Sequence, residues 1–129
     1  MKARMLRNLL PDRSAVMKVW RGPFRGARIV ANPRASLRKL LGIYERELNG
    51  WLSAALPRVS RVIDVGANDG YFSFGGAAAM RRAGRSAEII CFEPQPQHLE
   101  ELRRAIDAQP EPLPNLGLIA GLVGEHEDA

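Results

Sequence analysis

The apolar positions change their spacing along the chain. Residues 15–20 (AVMKVW) and 27–32 (ARIVAN) are short β-like runs, with RGPFRG between them placing Gly and Pro at turn positions. The pattern predicts a β-hairpin that closes at Asn32-Pro33. Over residues 36–56 the spacing becomes helical: Leu37, Leu40, Leu41, Tyr44, Leu48, Trp51, Leu52 and Ala55 fall on one stripe. Ser36 stands at the N-cap and Pro57 at the end. Gly42 and Gly50 each weaken such a helix by up to about 1 kcal/mol relative to alanine. Trp51 on this stripe reads as a core residue.

From residue 58 onward strands and helices alternate. VIDVG (62–66) is a short strand, residues 71–83 an alanine-rich helix with Gly84 at its stop, and EIICF (88–92) a second buried strand. Residues 96–108 form a second helix with Pro96 in its first turn and Leu99, Leu102 and Ile106 on one face. The proline-rich QPEPLPN leads to a third apolar run at 116–123. Crossovers this short imply a parallel sheet wound right-handedly. The expected fold is α/β: a partial Rossmann-like parallel sheet of three strands and two crossover helices, preceded by a β-hairpin and one helix. The expected segments are a basic lead-in and hairpin (1–35), a helix (36–57), the cofactor-binding half of a domain (58–124) and a loose acidic tail (125–129). The first strand would leave one edge unpaired, which invites self-association.

Such a sheet binds ligands beyond the C-terminal ends of its strands, which brings Asp64–Gly70 and Glu93 together. Gly66 and Gly70 bracket the turn and permit positive φ and close approach of a ligand. Glu93 follows the second strand, 23 residues beyond Gly70, where an acidic side chain can accept from both ribose hydroxyls of a nucleoside. A dinucleotide would need G-x-G-x-x-G spacing and a pyrophosphate on the helix N-terminus. The chain has G-A-N-D-G instead, and Asp69 would face the pyrophosphate at a cost on the order of 1 kcal/mol or more. S-adenosylmethionine carries no phosphate and has a sulfonium and an ammonium, so acidic residues at the turn favour it.

At these residues the sequence resembles a family. VIDVGANDGYFSF resembles the first motif of class I S-adenosylmethionine-dependent methyltransferases, in the form seen in the FkbM-like group. CFEPQPQHLEEL is similar to the group's second motif, and LGIYERELNGWL to a helix preceding the first. The resemblance spans roughly residues 40–124. It implies that Asp64 sits near the methionine moiety, that the backbone around Gly66, Ala67 and Gly70 faces methionine and ribose, and that Glu93 holds the ribose. Asn68 occupies the place of a middle glycine, as is common in the group. Tyr44 and Glu45 can cap the methionine end; the competing reading is a core tyrosine beside a solvated glutamate. The family fold has a longer sheet than these elements supply, including the strand whose loop lines the transfer site. By resemblance the reaction is methyl transfer to an oxygen of a small molecule or sugar. A fragment that binds cofactor weakly or not at all, and a nucleic-acid methyltransferase, are the alternatives.

Charge keeps the nucleic-acid alternative in view. The net charge of +5 divides unevenly: residues 1–61 hold 14 Lys/Arg and 3 Asp/Glu, whereas 62–129 hold 5 and 11. A basic half can meet an anionic surface, but these residues are scattered with few aromatics between them, a poor base-stacking surface. No apolar run approaches the roughly 20 residues of a membrane-spanning helix, and the N-terminus lacks the pattern of a secretory signal. Cys91, the sole cysteine, reads as buried and inert and fits a reducing, cytoplasmic setting. His98 and His126 read as exposed polar residues, since neither joins a catalytic constellation. Gly75 and Gly76 weaken the first crossover helix or permit close packing against it.

Overall fold

A computed structural model describes residues 2–86 and 88–125 of the 129-residue chain. The acidic tail beyond residue 125, with His126, lies outside the described residues. The basic lead-in contains a short helix, α1 (Lys2–Asn8), and strands β1 (Ala15–Lys18) and β2 (Arg28–Ala31) pair antiparallel with Val16 opposite Val30. Strands β3 (Arg61–Val65), β4 (Glu88–Phe92) and β5 (Leu116–Ile119) form a parallel sheet in that order. Helix α4 (Tyr71–Arg82) joins the first two and α5 (Pro96–Ala108) the second and third. The architecture is α/β and consistent with a partial Rossmann-like fold.

Sheet register explains the layering. Val62 lies opposite Ile89, and Ile89 opposite Leu116; these residues and Cys91 pack into the core. Right-handed crossovers place α4 and α5 on that side, where Phe74, Met80, Leu102 and Ala105 are buried against it. The hairpin packs on the outer side of the two helices through β2. The alternate positions Ile63, Val65 and Ile119 face the other way and are exposed. Strand β3 pairs with β4 alone among the described residues.

The long helix expected over residues 36–56 is broken. It divides into α2 (Leu37–Leu40), a 3₁₀ turn at Arg46–Leu48 and α3 (Asn49–Ala55). The cause is tertiary. Gly42, at φ +70°, presses against the hairpin turn: a Cβ there would lie 2.2 Å from the Arg21 carbonyl oxygen. The Trp20 N–H donates to the Leu40 carbonyl at 2.8 Å, tying the helix end to the hairpin. Trp51, expected in the core, is 68% exposed because α3 restarts with a different face inward, burying Leu52. Pro57 sits inside a 3₁₀ turn, Leu56–Arg58, rather than ending a helix. Strand β5 stops at Ile119 and does not run on to residue 123. Its last bond comes from Glu93 N–H at 3.1 Å, and the next donor of that parallel ladder, Gln95 N–H two residues on, is given to Glu93 Oε1 instead.

Several arginines of the basic half act as staples. Arg34 donates to the Asn8 and Leu10 carbonyls, and Arg28 to the Ala108 carbonyl. Arg82, from the second half, donates to the carbonyls of Pro23 and Arg25. Gly75 shows why α4 carries small residues. A Cβ there would stand 2.2 Å from the ring of Phe24, which is fully buried. Gly75→Ala gains up to about 1 kcal/mol of helix propensity but overpacks that contact at about 1–3 kcal/mol. A net loss in urea-unfolding free energy is expected; a gain would contradict this packing.

Candidate functional site

Strand β3 delivers the chain into a turn of three positive-φ residues: Gly66 (φ +74°), Asn68 (+53°) and Gly70 (+81°). Asn is among the few side chains that tolerate this region. The N–H groups of Gly66 and Ala67 both donate to the Phe92 carbonyl, at 2.8 and 3.0 Å, and Gly70 N–H donates to the Ala67 carbonyl at 2.8 Å. The turn is thereby bolted to the end of β4. Ala67 turns its methyl into the core, while a Cβ at Gly66 would meet nothing within 4 Å. Of the turn's glycines, Gly66 is the one that borders open space and Gly70 the one held tightly inside.

Glu93 is the centre of the arrangement. The residue is 1% exposed, and its two carboxylate oxygens are held separately: Oε2 accepts from Asn68 N–H at 2.9 Å and Oε1 from Gln95 N–H at 3.0 Å. Each carboxylate oxygen has acceptor capacity beyond one bond. His98, expected to be exposed, is partly buried on α5, with Nδ1 3.9 Å from Glu93 Oε1 and outside hydrogen-bond range. Asp64 shares the helix-covered side with Glu93: it lies opposite Cys91, two residues before Glu93.

Burial pushes the Asp64 carboxyl above its ordinary value, and the charges of Asp69 and Glu93 push the same way against the hydrogen bond from Ser73. A carboxyl with a raised folded-state pKa holds its proton more tightly when folded. Its contribution to stability is therefore full at pH below the ordinary value and is lost as pH rises through the folded pKa. Asp64→Asn removes this titration. The variant is expected to flatten the fall of stability across that acidic window, and to be more stable than the parent above it; urea unfolding between pH 4 and 7 reads both. A fall as steep as the parent's would contradict the burial of this charge.

Asp69 is not a free negative charge. Its Oδ2 pairs with Lys39 Nζ at 2.6 Å, and its Oδ1 accepts from Tyr71 N–H at 3.0 Å. Lys39 also lies over the Tyr44 ring, which packs edge-on against Tyr71. Two consequences follow for the ligand. Lys39 offsets the repulsion that Asp69 would otherwise exert on a pyrophosphate. Yet the first N–H of α4 is already taken by Asp69, and Asn68 N–H by Glu93, so two of the donors that a phosphate at this turn would use are engaged. Tyr44, half-buried, packs edge-on against Tyr71 just past the turn, and Glu45, exposed at φ +48°, lies near enough for its charge to act on Tyr71.

Beyond the strand ends lies an open cleft of about 290 Å³, lined by Gly66, Asn68, Glu93, Gln95, Leu122 and Val123 among others. Leu122 and Val123 come from the segment after β5 and form an apolar wall, although the apolar run over residues 116–123 predicts a strand there. A second, polar cleft of about 400 Å³ lies on the other side of Asn68, bordered by Ser36, Lys39, Asp69, His98 and Glu101. A cleft of about 210 Å³ at the opposite end of the strands, beside the proline-rich loop, adjoins none of these residues. Among the described residues no group of three metal-ligating side chains converges, and no helix is long and apolar enough to cross a membrane. No family model matches the chain, and neither a curated protein nor a solved structure matches it.

Proposed function

We propose that the chain binds S-adenosylmethionine at the ends of β3, β4 and β5 and belongs with the class I methyltransferases, in the FkbM-like manner. The observation that carries this is the junction of the turn with Glu93. A buried carboxylate that borders a cleft, with one acceptor position on each oxygen beyond its backbone bonds, suits a vicinal diol. The engagement of Tyr71 N–H by Asp69 and of Asn68 N–H by Glu93 supports a cofactor without phosphate. Asp69 and Glu93 against Lys39, with Asp64 close behind them, leave the surroundings of the turn net negative, which favours a sulfonium and an ammonium.

In this reading Glu93 holds the ribose and Gly66 admits the cofactor close to the backbone. Leu122 and Val123 give an apolar wall to the adenine, and Asp64 lies toward the methionine end. The cofactor supplies the electrophilic methyl group. The chain's own residues bind and orient it, the main demand of a transfer that depends on in-line positioning. The acceptor is proposed to be an oxygen of a small molecule or sugar. The polar cleft beyond Asn68, with its hydroxyl, amide and carboxylate groups, suits a polyhydroxylated compound.

Calorimetry with S-adenosylmethionine and with NAD tests the cofactor class. Saturable binding of the first, at least tenfold tighter than the second, is expected; equal or absent binding contradicts the reading. Self-association is a second proposal, favoured by the edge of β3 that is unpaired among the described residues and by the exposed Ile63 and Val65 beside it. Sedimentation velocity is expected to show dimers that Val65→Lys disperses, and a parent monomeric at high concentration would contradict it.

A further inference from the structure

A buried polar chain runs behind Asp64. Ser73, in the first turn of α4, is fully buried, and its Oγ lies 2.6 Å from Asp64 Oδ2. Cys91, also buried, lies opposite Asp64 on β4 with its Sγ 3.1 Å from Ser73 Oγ. Chemistry fixes the direction of both bonds. An ionised carboxylate only accepts, so the hydroxyl donates to it, and the thiol in turn donates to the hydroxyl. A helical serine commonly turns its hydroxyl to a carbonyl of the preceding turn; here the hydroxyl leaves its own helix to meet a strand.

We infer that Ser73, backed by Cys91, is a positioning residue that keeps Asp64 ionised and oriented for a cationic cofactor. The inference rests on the cofactor reading above. The charged groups facing Asp64 from neighbouring segments are Asp69 in the turn, itself paired with Lys39, and Glu93 beyond β4. Both carboxylates oppose ionisation of Asp64, as burial does, whereas Ser73 favours it. Removing the hydroxyl therefore makes the carboxylate easier to protonate and releases its orientation.

The test uses the full chain and two readouts: the Asp64 carboxyl titration by carbon NMR without cofactor, and S-adenosylmethionine affinity against pH. Ser73→Ala is expected to move the Asp64 titration upward and to weaken binding about tenfold near neutral pH. The loss should shrink as pH rises and Asp64 ionises. Ser73→Thr, which keeps a hydroxyl, should return both readouts toward the parent. An affinity loss equal at every pH, or an unmoved titration, overturns the inference and leaves Ser73 a packing residue. If Ser73→Ala does not fold, Cys91→Ala serves: it frees the serine hydroxyl to turn away, and a smaller upward shift is expected where no shift overturns the inference. A parent that fails to bind the cofactor, with the titration still moved by Ser73→Ala, refutes the cofactor reading while upholding the hold of Ser73 on Asp64.

Discussion

Glu93→Ala is expected to abolish measurable S-adenosylmethionine binding and to lower folding stability by about 3 kcal/mol. Two effects of opposite sign meet in this substitution. Removing a buried carboxylate relieves the cost of its desolvation, but it also strands the N–H groups of Asn68 and Gln95, which now share that carboxylate at 2.9 and 3.0 Å. Hydrogen bonds to charged groups contribute about 1.5–3 kcal/mol each, so the stranded donors decide the sign. Asn68 is also the residue through which Glu93 grips the turn, and its release loosens the cleft wall. Glu93→Gln separates binding from folding. It keeps the side-chain volume but retains one good acceptor for two donors, so it is expected to fold with a smaller loss while still binding at least tenfold more weakly. Unfolding by urea and calorimetry on both variants check this. A Glu93→Ala chain with parental stability would contradict the role given to the carboxylate.

The second large effect is expected at Gly70. Gly70→Ala must hold an L-residue at φ +81°, at roughly 1–2 kcal/mol. Its Cβ would also lie 2.2 Å from Phe74 Cε2 and 2.9 Å from Leu102 Cδ2, both belonging to fully buried side chains. Overpacking of that kind adds about 1–3 kcal/mol. The total, about 2–5 kcal/mol, is a large fraction of the 5–15 kcal/mol that typically separates folded from unfolded domains, so a large fall in the unfolding midpoint is expected. Gly66→Ala offers the control. It has a similar φ, but its Cβ would meet nothing within 4 Å, so only the backbone cost applies. Equal losses for the two variants in thermal or urea unfolding would contradict the packing described at the base of α4.

The contrast between these glycines shows what the sequence could and could not reveal. G-A-N-D-G after a β-branched strand announces a turn with positive φ, and a parallel sheet places that turn beside the end of the next strand. The meeting of Asn68 with Glu93 was therefore legible, as were β4 and α5, whose bounds are set by an apolar run and by Pro96. Which glycine is locked and which borders open space depends on Phe74 and Leu102, and no local pattern reports that. The helix over residues 36–56 was misread for the same reason: its stripe is continuous in sequence, but the close approach of Gly42 to the hairpin turn interrupts it.

Electrostatics were the least legible feature. Asp69 looked like a free charge at the turn because its partner, Lys39, lies on a different element, and ion pairing between distant segments leaves no periodic trace. Ser73 was hidden among the residues of an ordinary helix, and only its burial beside Asp64 sets it apart. Gln95 and Leu122 have a weak signal that could have found them: both follow the C-terminal ends of parallel strands, where ligands gather in such sheets.

The central claim is that the cofactor lies where the turn meets Glu93. Titration of the isotopically labelled chain with S-adenosylhomocysteine, followed by amide NMR, tests it most directly. Saturating shifts concentrated at Gly66, Asn68, Gln95 and Leu122 are expected. An unchanged spectrum, or shifts gathered at the opposite end of the strands around Ser86 and Asn115, would contradict it.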